Sequence, residues 1–109
     1  MKLTRLVISG SNLRGLIDLL DEEVAAGYSY ASKDVCIYIL EEYRIMINAD
    51  VSSTIVLDFS EKDKCQIDIV SSGSGGKFSA DDQQNKDLVK LLKDKCKKKS
   101  WEILEEIDN

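Results

Sequence analysis

The feature that most constrains the fold of this chain is a long segment of β-branched and aromatic residues between Val35 and Ile47. Its odd positions are almost continuously apolar, which is the two-residue period of a β-strand. The even positions of its first half, Cys36, Tyr38 and Leu40, are apolar as well. Because successive residues of a strand face opposite sides, this pattern predicts that both faces are covered there, by a second layer or by a partner subunit.

Two shorter alternating segments follow, at 54–59 and 65–69, and polar residues separate them at 60–64. The turn signal Asn48-Ala49-Asp50 separates the first of them from the long segment. Three successive strands joined by short polar connections are typical of an antiparallel meander. Residues 71–76, Ser-Ser-Gly-Ser-Gly-Gly, are predicted to form a flexible loop after it.

A strand and a helix are predicted ahead of the meander. Residues 3–9 alternate, with Thr4, Leu6 and Ile8 on one face. A helical stripe then predicts a helix over 12–26, and its apolar residues are Leu13, Leu16, Ile17, Leu20 and Val24. We expect Ser11 or Asn12 to cap this helix and Gly27 to end it in the left-handed conformation.

A second, longer helix is predicted at the end of the chain, with a cap formed by Ser79 and Asp82. Its apolar positions fall in one sector of a helical wheel, and they are Leu88, Val89, Leu92, Cys96, Ile103 and Ile107. The sequence leaves open whether this helix continues to the end or breaks near Lys99-Ser100.

The element order β-α-β-β-β-α predicts a single α+β domain over 1–109. We expect a two-layer sandwich in which an antiparallel sheet of about four strands carries both helices on one face. Parallel pairing of the first strand with a neighbour across the helical crossover stays open at this stage, as does the strand order.

The chain contains no histidine, which excludes Ser-His-Asp and Cys-His nucleophiles and imidazole zinc sites. Its three cysteines, Cys36, Cys65 and Cys96, are too widely spaced for a CxxC pair and are odd in number, so we expect buried, reduced thiols. We therefore predict no catalytic site, no cofactor and no metal site.

The first ten residues lack the continuous apolar stretch of a signal peptide, and no apolar run approaches the roughly 20 residues that span a bilayer. Together with the unpaired cysteines, these observations predict a cytoplasmic protein with no integral membrane association.

Positive charge is concentrated near the C-terminus, where residues 86–99 hold seven lysines and two aspartates. A helix would align Lys86, Lys90, Lys93 and Lys97 on one side, with Trp101 close to it. Such a stripe can contact phosphate backbones, anionic lipid or an acidic protein. The net charge of −5 argues against nucleic acid and favours a solvated helix face. If the helix breaks near Ser100, Trp101 packs into the core.

Two further features of the sequence are candidate sites. The glycine-rich segment lacks the spacing of a phosphate-binding loop, and Asp81 and Asp82 in the following helical turn would repel an anion, so a flexible connector is favoured. Glu41 interrupts the apolar odd face of the long strand. A buried, catalytic carboxylate is one interpretation, and a solvated carboxylate at a β-bulge or sheet edge is the favoured one.

The segments Glu42-Tyr43-Arg44-Ile45-Met46-Ile47-Asn48 and Ile69-Val70-Ser71-Ser72-Gly73-Ser74-Gly75-Gly76 resemble a bacterial family of small domains of unknown function. The resemblance covers residues 35–78. It implies a stand-alone bacterial cytoplasmic protein and supplies no activity, cofactor or catalytic residue. After Gly76 this chain is more polar than the family pattern.

These observations favour a non-catalytic module that self-associates as a homo-oligomer or binds a protein. The candidate surface combines the apolar even positions with the lysine stripe, namely Cys36, Tyr38, Leu40, Lys86, Lys90, Lys93, Lys97 and Trp101. One alternative is a small apolar ligand held between the C-terminal helix and the sheet. Another is contact with nucleic acid or an anionic surface through the lysine-rich helix.

Overall fold

The computed structural model describes residues 1–45, 49–74 and 80–109. Within these ranges the chain forms two helices and six strands, which are β1 (Lys2–Ser9), α1 (Gly15–Glu23), β2 (Tyr28–Ala31), β3 (Val35–Arg44), β4 (Ala49–Asp58), β5 (Lys64–Ser74), α2 (Ala80–Lys99) and β6 (Glu102–Asp108). The strands form one antiparallel sheet in the order β2-β3-β4-β5-β1-β6. The α+β class and the meander β3-β4-β5 are as predicted.

The sheet has six strands instead of about four, because the sequence pattern missed both edge strands. Strand β2 has four exposed residues and is too short to show a period. In β6, Ile103 and Ile107 are four residues apart and therefore match a helical stripe as well as a strand. Segment β6 is a strand because it pairs with β1, which supplies partners for its backbone hydrogen bonds. This pairing joins residues far apart in the chain, so the local sequence pattern does not reveal it.

Strand β1 pairs antiparallel with β5 on one side and with β6 on the other, so the parallel pairing left open by the sequence does not occur. Its predicted face is confirmed, since Thr4, Leu6 and Ile8 are all buried. Because β1 lies between two later strands, both ends of the described chain meet in the same part of the sheet.

The core lies between one face of the sheet and both helices, as predicted. Alternate residues of the inner strands supply its floor, among them Leu6, Ile8, Ile55, Leu57, Ile67 and Ile69, all fully buried. The predicted stripe of α1 packs against them together with α2, through residues that include Leu16, Leu20, Leu88 and Leu92. Burial of this apolar surface is the main stabilising contribution to the fold.

Helix α1 is shorter than predicted. Its N-cap is Arg14, which makes no capping side-chain hydrogen bond, and its C-cap is Val24. The expected caps at Ser11 or Asn12 and at Gly27 are therefore wrong. The N–H of Gly27 instead donates to the carbonyl of Ile39 at 2.9 Å, which leads the chain into β2.

The glycine-rich segment was predicted to be a loop, but its first residues, Ser71–Ser74, continue β5. They pair with β4 as far as Asp50 opposite Ser74, and the hydroxyls of buried Ser53 and Ser71 are hydrogen-bonded at 2.6 Å. Ladder pairing here outweighs the low strand propensity of serine and glycine. The predictions for Ile47, Asn48, Gly75, Gly76 and the Ser79 cap lie outside the described residues.

Helix α2 is docked on the sheet by a buried amide. The Asn85 Nδ2 group donates to the Thr4 hydroxyl at 3.0 Å and lies 3.2 and 3.3 Å from the carbonyls of Ile69 and Lys2. The Thr4 hydroxyl in turn donates to Asp108 at 2.9 Å. This chain of contacts fixes α2 against β1, β5 and β6 at once, because a buried polar group is stable only where its partners are in place.

Helix α2 ends at Lys99, so of the two alternatives that the sequence leaves open, the break near Lys99-Ser100 is the one in the structure. Ser100 adopts the left-handed conformation with φ of 58°. The N–H of Trp101 donates to the Cys96 carbonyl at 3.0 Å, which closes the helix end. The Trp101 ring is 8% exposed, and its Nε1 donates to the Ser11 carbonyl at 2.7 Å.

We predict that Gly10→Ala lowers the free energy of unfolding by about 2 kcal/mol, since overpacking in a filled core costs about this much. A Cβ at Gly10 would lie 2.3 Å from Cδ1 of Trp101, and the Gly10 φ of 156° is one that residues with a side chain rarely adopt, so both the indole and the backbone would have to move. Urea unfolding followed by the fluorescence of this single tryptophan measures the change.

Gly27→Ala is the matched control, because a Cβ there meets nothing closer than the Ile39 carbonyl oxygen at 3.9 Å. We expect its stability to stay within about 0.5 kcal/mol of the parent. Equal stability losses in the two variants would contradict the assigned contact between Gly10 and the indole.

Candidate interaction surface

The apolar part of the predicted surface lies inside the core. Cys36, Tyr38 and Leu40 are on the face of β3 that the helices cover, and all three are buried. The Tyr38 hydroxyl donates to Asp21 of α1 at 3.0 Å, and burial together with this bond raises the pKa of the phenol. The cover expected over the even positions of β3 is therefore supplied by the chain's own helices.

The charged part of the predicted surface is exposed but partly neutralised. Lys86 pairs with Asp82 at 3.0 Å, and Lys93 pairs with Glu106 of β6 at 2.7 Å. Lys90 and Lys97 are exposed and have no ion pair with any described residue. Trp101 packs under α1 instead of extending the stripe. The acidic strand β6 thus lies beside the lysines and reduces their attraction for an anion.

The carboxylates next to the glycine-rich segment form ion pairs, and the candidate carboxylate in β3 is exposed to solvent. Asp81 lies 3.2 Å from the N-terminal ammonium group, and Asp82 lies 3.3 Å from the Lys2 ammonium group. Glu41 is exposed and opposite Ser52 in a ladder with no register shift. The β-bulge alternative is therefore wrong. The solvated carboxylate at a sheet edge agrees with the structure, because β2 pairs with β3 only as far as Ile39.

All three cysteines are free and buried, as predicted. Burial raises the pKa of each thiol, and that of Cys65 reaches about 12. Since the thiolate is the reactive form, these residues are inert in the native state. Among residues 1–45, 49–74 and 80–109, no cluster of three or more cysteine, aspartate or glutamate side chains could hold a metal ion.

The exposed apolar surface lies on the opposite face of the sheet, which neither helix covers. Its uncharged centre is formed by five side chains of β2, β3 and β4, which we call the tyrosine patch: Tyr28, Tyr30, Ile37, Ile39 and Val56. Tyr28 and Tyr30 are 57% and 52% exposed. The tyrosine patch is therefore a solvent-exposed, largely apolar area on a protein surface that is otherwise rich in charged side chains.

The strand register explains why these side chains are neighbours. Tyr28 is opposite Ile39, and Tyr30 is opposite Ile37, which is in turn opposite Val56. Directly opposed residues of antiparallel strands project to the same face, with their Cβ atoms about 5 Å apart. The patch is thus fixed by the ladder and needs no loop to form it.

At the border of the tyrosine patch formed by β1 and β5, two opposite charges on the same face are paired with each other. The Arg5 guanidinium donates from Nε and from a terminal nitrogen to the two carboxylate oxygens of Asp68, at 2.7 and 3.0 Å. These residues are opposite each other on β1 and β5, and Asp68 is opposite Val56. A partner that covers the tyrosine patch therefore meets a neutral pair at this border.

The two edges of the sheet differ in charge. Strand β6 carries Glu102, Glu105, Glu106 and Asp108, and acidic side chains on an edge disfavour pairing with another chain. Strand β2 reads Tyr-Ser-Tyr-Ala and has no charge. The tyrosine patch therefore lies next to the edge that lacks this protection.

The apolar odd positions of β3 indicate this exposed surface in the sequence. The interaction surface predicted from the sequence nevertheless lies at the even positions, which the structure shows to be buried. Period-two alternation separates the faces of a strand but does not show which face the helices cover.

No protein-family model, curated protein or solved structure matches this chain significantly. The resemblance to a bacterial domain family over residues 35–78 thus stays a prediction. No helix within the described ranges combines the length and the apolar character needed to cross a membrane.

We predict that the thiols of the native protein react with a disulfide reagent such as DTNB at least about 100-fold more slowly than those of the unfolded chain, because reaction requires local opening. In concentrated guanidinium chloride all three should react at once. A thiol that reacts in native buffer as fast as free cysteine would contradict the burial described above.

Proposed function

We propose that this chain is a non-catalytic self-associating module, and that the tyrosine patch is the surface through which two copies contact each other. The observation that carries this proposal is the uncharged, largely apolar tyrosine patch on β2, β3 and β4, over which no helix lies. Contiguous apolar surface on a water-soluble domain is typical of an interaction site.

Charge favours a second copy as the partner. The chain has a net charge of −5, so two copies repel each other wherever their acidic surfaces meet. The tyrosine patch contains no charged side chain, and the neighbouring Arg5 and Asp68 neutralise each other. In a two-fold dimer the patch of one copy contacts the same patch of the other, so the patch must not carry like charges that would repel each other.

The residue types in the tyrosine patch also suit an interface. Tyrosine is enriched in the centres of protein interfaces, because its ring is apolar while its hydroxyl can stay hydrated at the rim. Ile37, Ile39 and Val56 form a flat floor between the two tyrosines and the centre of the sheet. The chain offers no histidine and only buried thiols for catalysis, which supports a binding role.

We predict that light scattering on the purified, reduced protein gives the mass of a dimer, and that Ile39→Glu raises the dimer dissociation constant at least about tenfold. Ile39 lies within the tyrosine patch and is 37% exposed in the single chain. A glutamate there would be buried without a partner in both copies of the dimer, which is strongly unfavourable. Unchanged Trp101 fluorescence would show that the variant is folded.

Leu104→Glu is the matched control, because Leu104 is also an exposed aliphatic residue on a strand, at 47% exposure, but lies on the opposite edge of the sheet in β6. We expect it to leave the dimer intact. A wild-type protein that is monomeric at all concentrations, or equal dissociation of the two variants, would contradict the proposal.

A further inference from the structure

A cleft of about 470 Å³ lies on the helical side of the molecule, between the end of α1, the second half of β3 and α2. Its apolar walls are formed by Val24, Leu40, Leu88 and Leu91. The size is within the range of small-molecule sites, and walls of aliphatic side chains with a few polar groups are typical of them. The cleft is on the opposite layer from the tyrosine patch, so the two surfaces are separate.

One largely buried polar side chain lines this cleft. Gln84 of α2 is 3% exposed, and its side-chain amide makes no hydrogen bond with any described residue. Its amide is not sealed from the cleft, because among the described residues the buried side-chain atom without a partner is Oδ1 of the neighbouring Asn85. An amide that has no partner in the protein and opens onto a cleft can hydrogen-bond a molecule bound there.

The rim of the cleft is acidic. Glu23 and Glu42 are exposed there and have no ion pair with any described residue. Asp87 also lines the cleft, but it is paired with the Arg44 guanidinium. The two unpaired carboxylates therefore set the local charge, which attracts a cation and repels an anion.

We propose that this cleft binds a small amphiphilic cation, which is an apolar chain or ring that bears a protonated amine. The apolar body lies against Leu40, Leu88 and Leu91, and the ammonium group lies at the carboxylate rim within reach of the Gln84 amide oxygen. The inference does not depend on self-association, because none of these residues belongs to the tyrosine patch.

The test compares two probes of one shape and opposite charge, 4-phenylbutylamine and 4-phenylbutanoate, by isothermal titration calorimetry at low salt and neutral pH. We expect the amine to bind one site per chain and the carboxylate to bind at least about tenfold more weakly. Glu42→Gln should weaken the amine about threefold, as loss of one exposed charge does. Glu105→Gln on β6 removes the same charge far from the cleft and should leave binding unchanged.

Gln84→Leu distinguishes a ligand-binding amide from a structural one. If Gln84 serves the ligand, this variant binds the amine about fivefold more weakly, as expected for one lost hydrogen bond, and melts at a higher temperature than the parent. If the amide is structural, the variant melts at a lower temperature, and the proposal is overturned.

Equal binding of both probes, no binding of the amine at millimolar concentration, or equal weakening by Glu42→Gln and Glu105→Gln would also overturn the proposal. The amine titration is repeated on Ile39→Glu, the variant expected to disrupt the dimer. We expect the cleft of this variant to bind the amine as well as the parent does, so failure of the dimer proposal and failure of the cleft proposal can be distinguished.

Discussion

Two helices cover only one face of this six-stranded sheet, and most of the other features of the molecule follow from that constraint. The covered face is apolar at most alternate positions of the inner strands, and these positions form the core. The other face of the same strands is left in contact with water. Since Ile37 and Ile39 of β3 and Val56 of β4 are apolar there as well, the fold itself creates the surface that we assign to self-association.

The covered layer is held in place by a few specific contacts in addition to apolar burial. Asn85 links α2 to backbone carbonyls of β1 and β5, and Thr4 extends this network to Asp108 on β6. At the end of α2, the Trp101 indole fills the space over Gly10 and donates to the Ser11 carbonyl. Apolar burial alone would allow several positions of α2, whereas these directional bonds select one.

The two proposed surfaces use opposite faces of β3. Its odd residues Ile37 and Ile39 belong to the tyrosine patch, and its even residue Leu40 contributes to the wall of the cleft. Because β3 is apolar on both faces, its even residues contribute to the core and to the wall of the cleft, and its odd residues contribute to the tyrosine patch. The lysines of α2 lie outside both surfaces, and Glu106 of the acidic strand β6 pairs with one of them, Lys93.

Local periodicity and residue type were enough to predict the α+β class, the meander, the inner face of β1, the apolar stripe of α1 and the buried thiols. The edge strands required the three-dimensional structure, since β2 is too short to show a period and Ile103 and Ile107 fit a helix as well as β6. The tertiary structure also decided which face of β3 is covered, and it brought Gln84 together with Glu23 and Glu42. Those choices depend on strand pairing and helix docking between residues far apart in the chain, which no local pattern encodes.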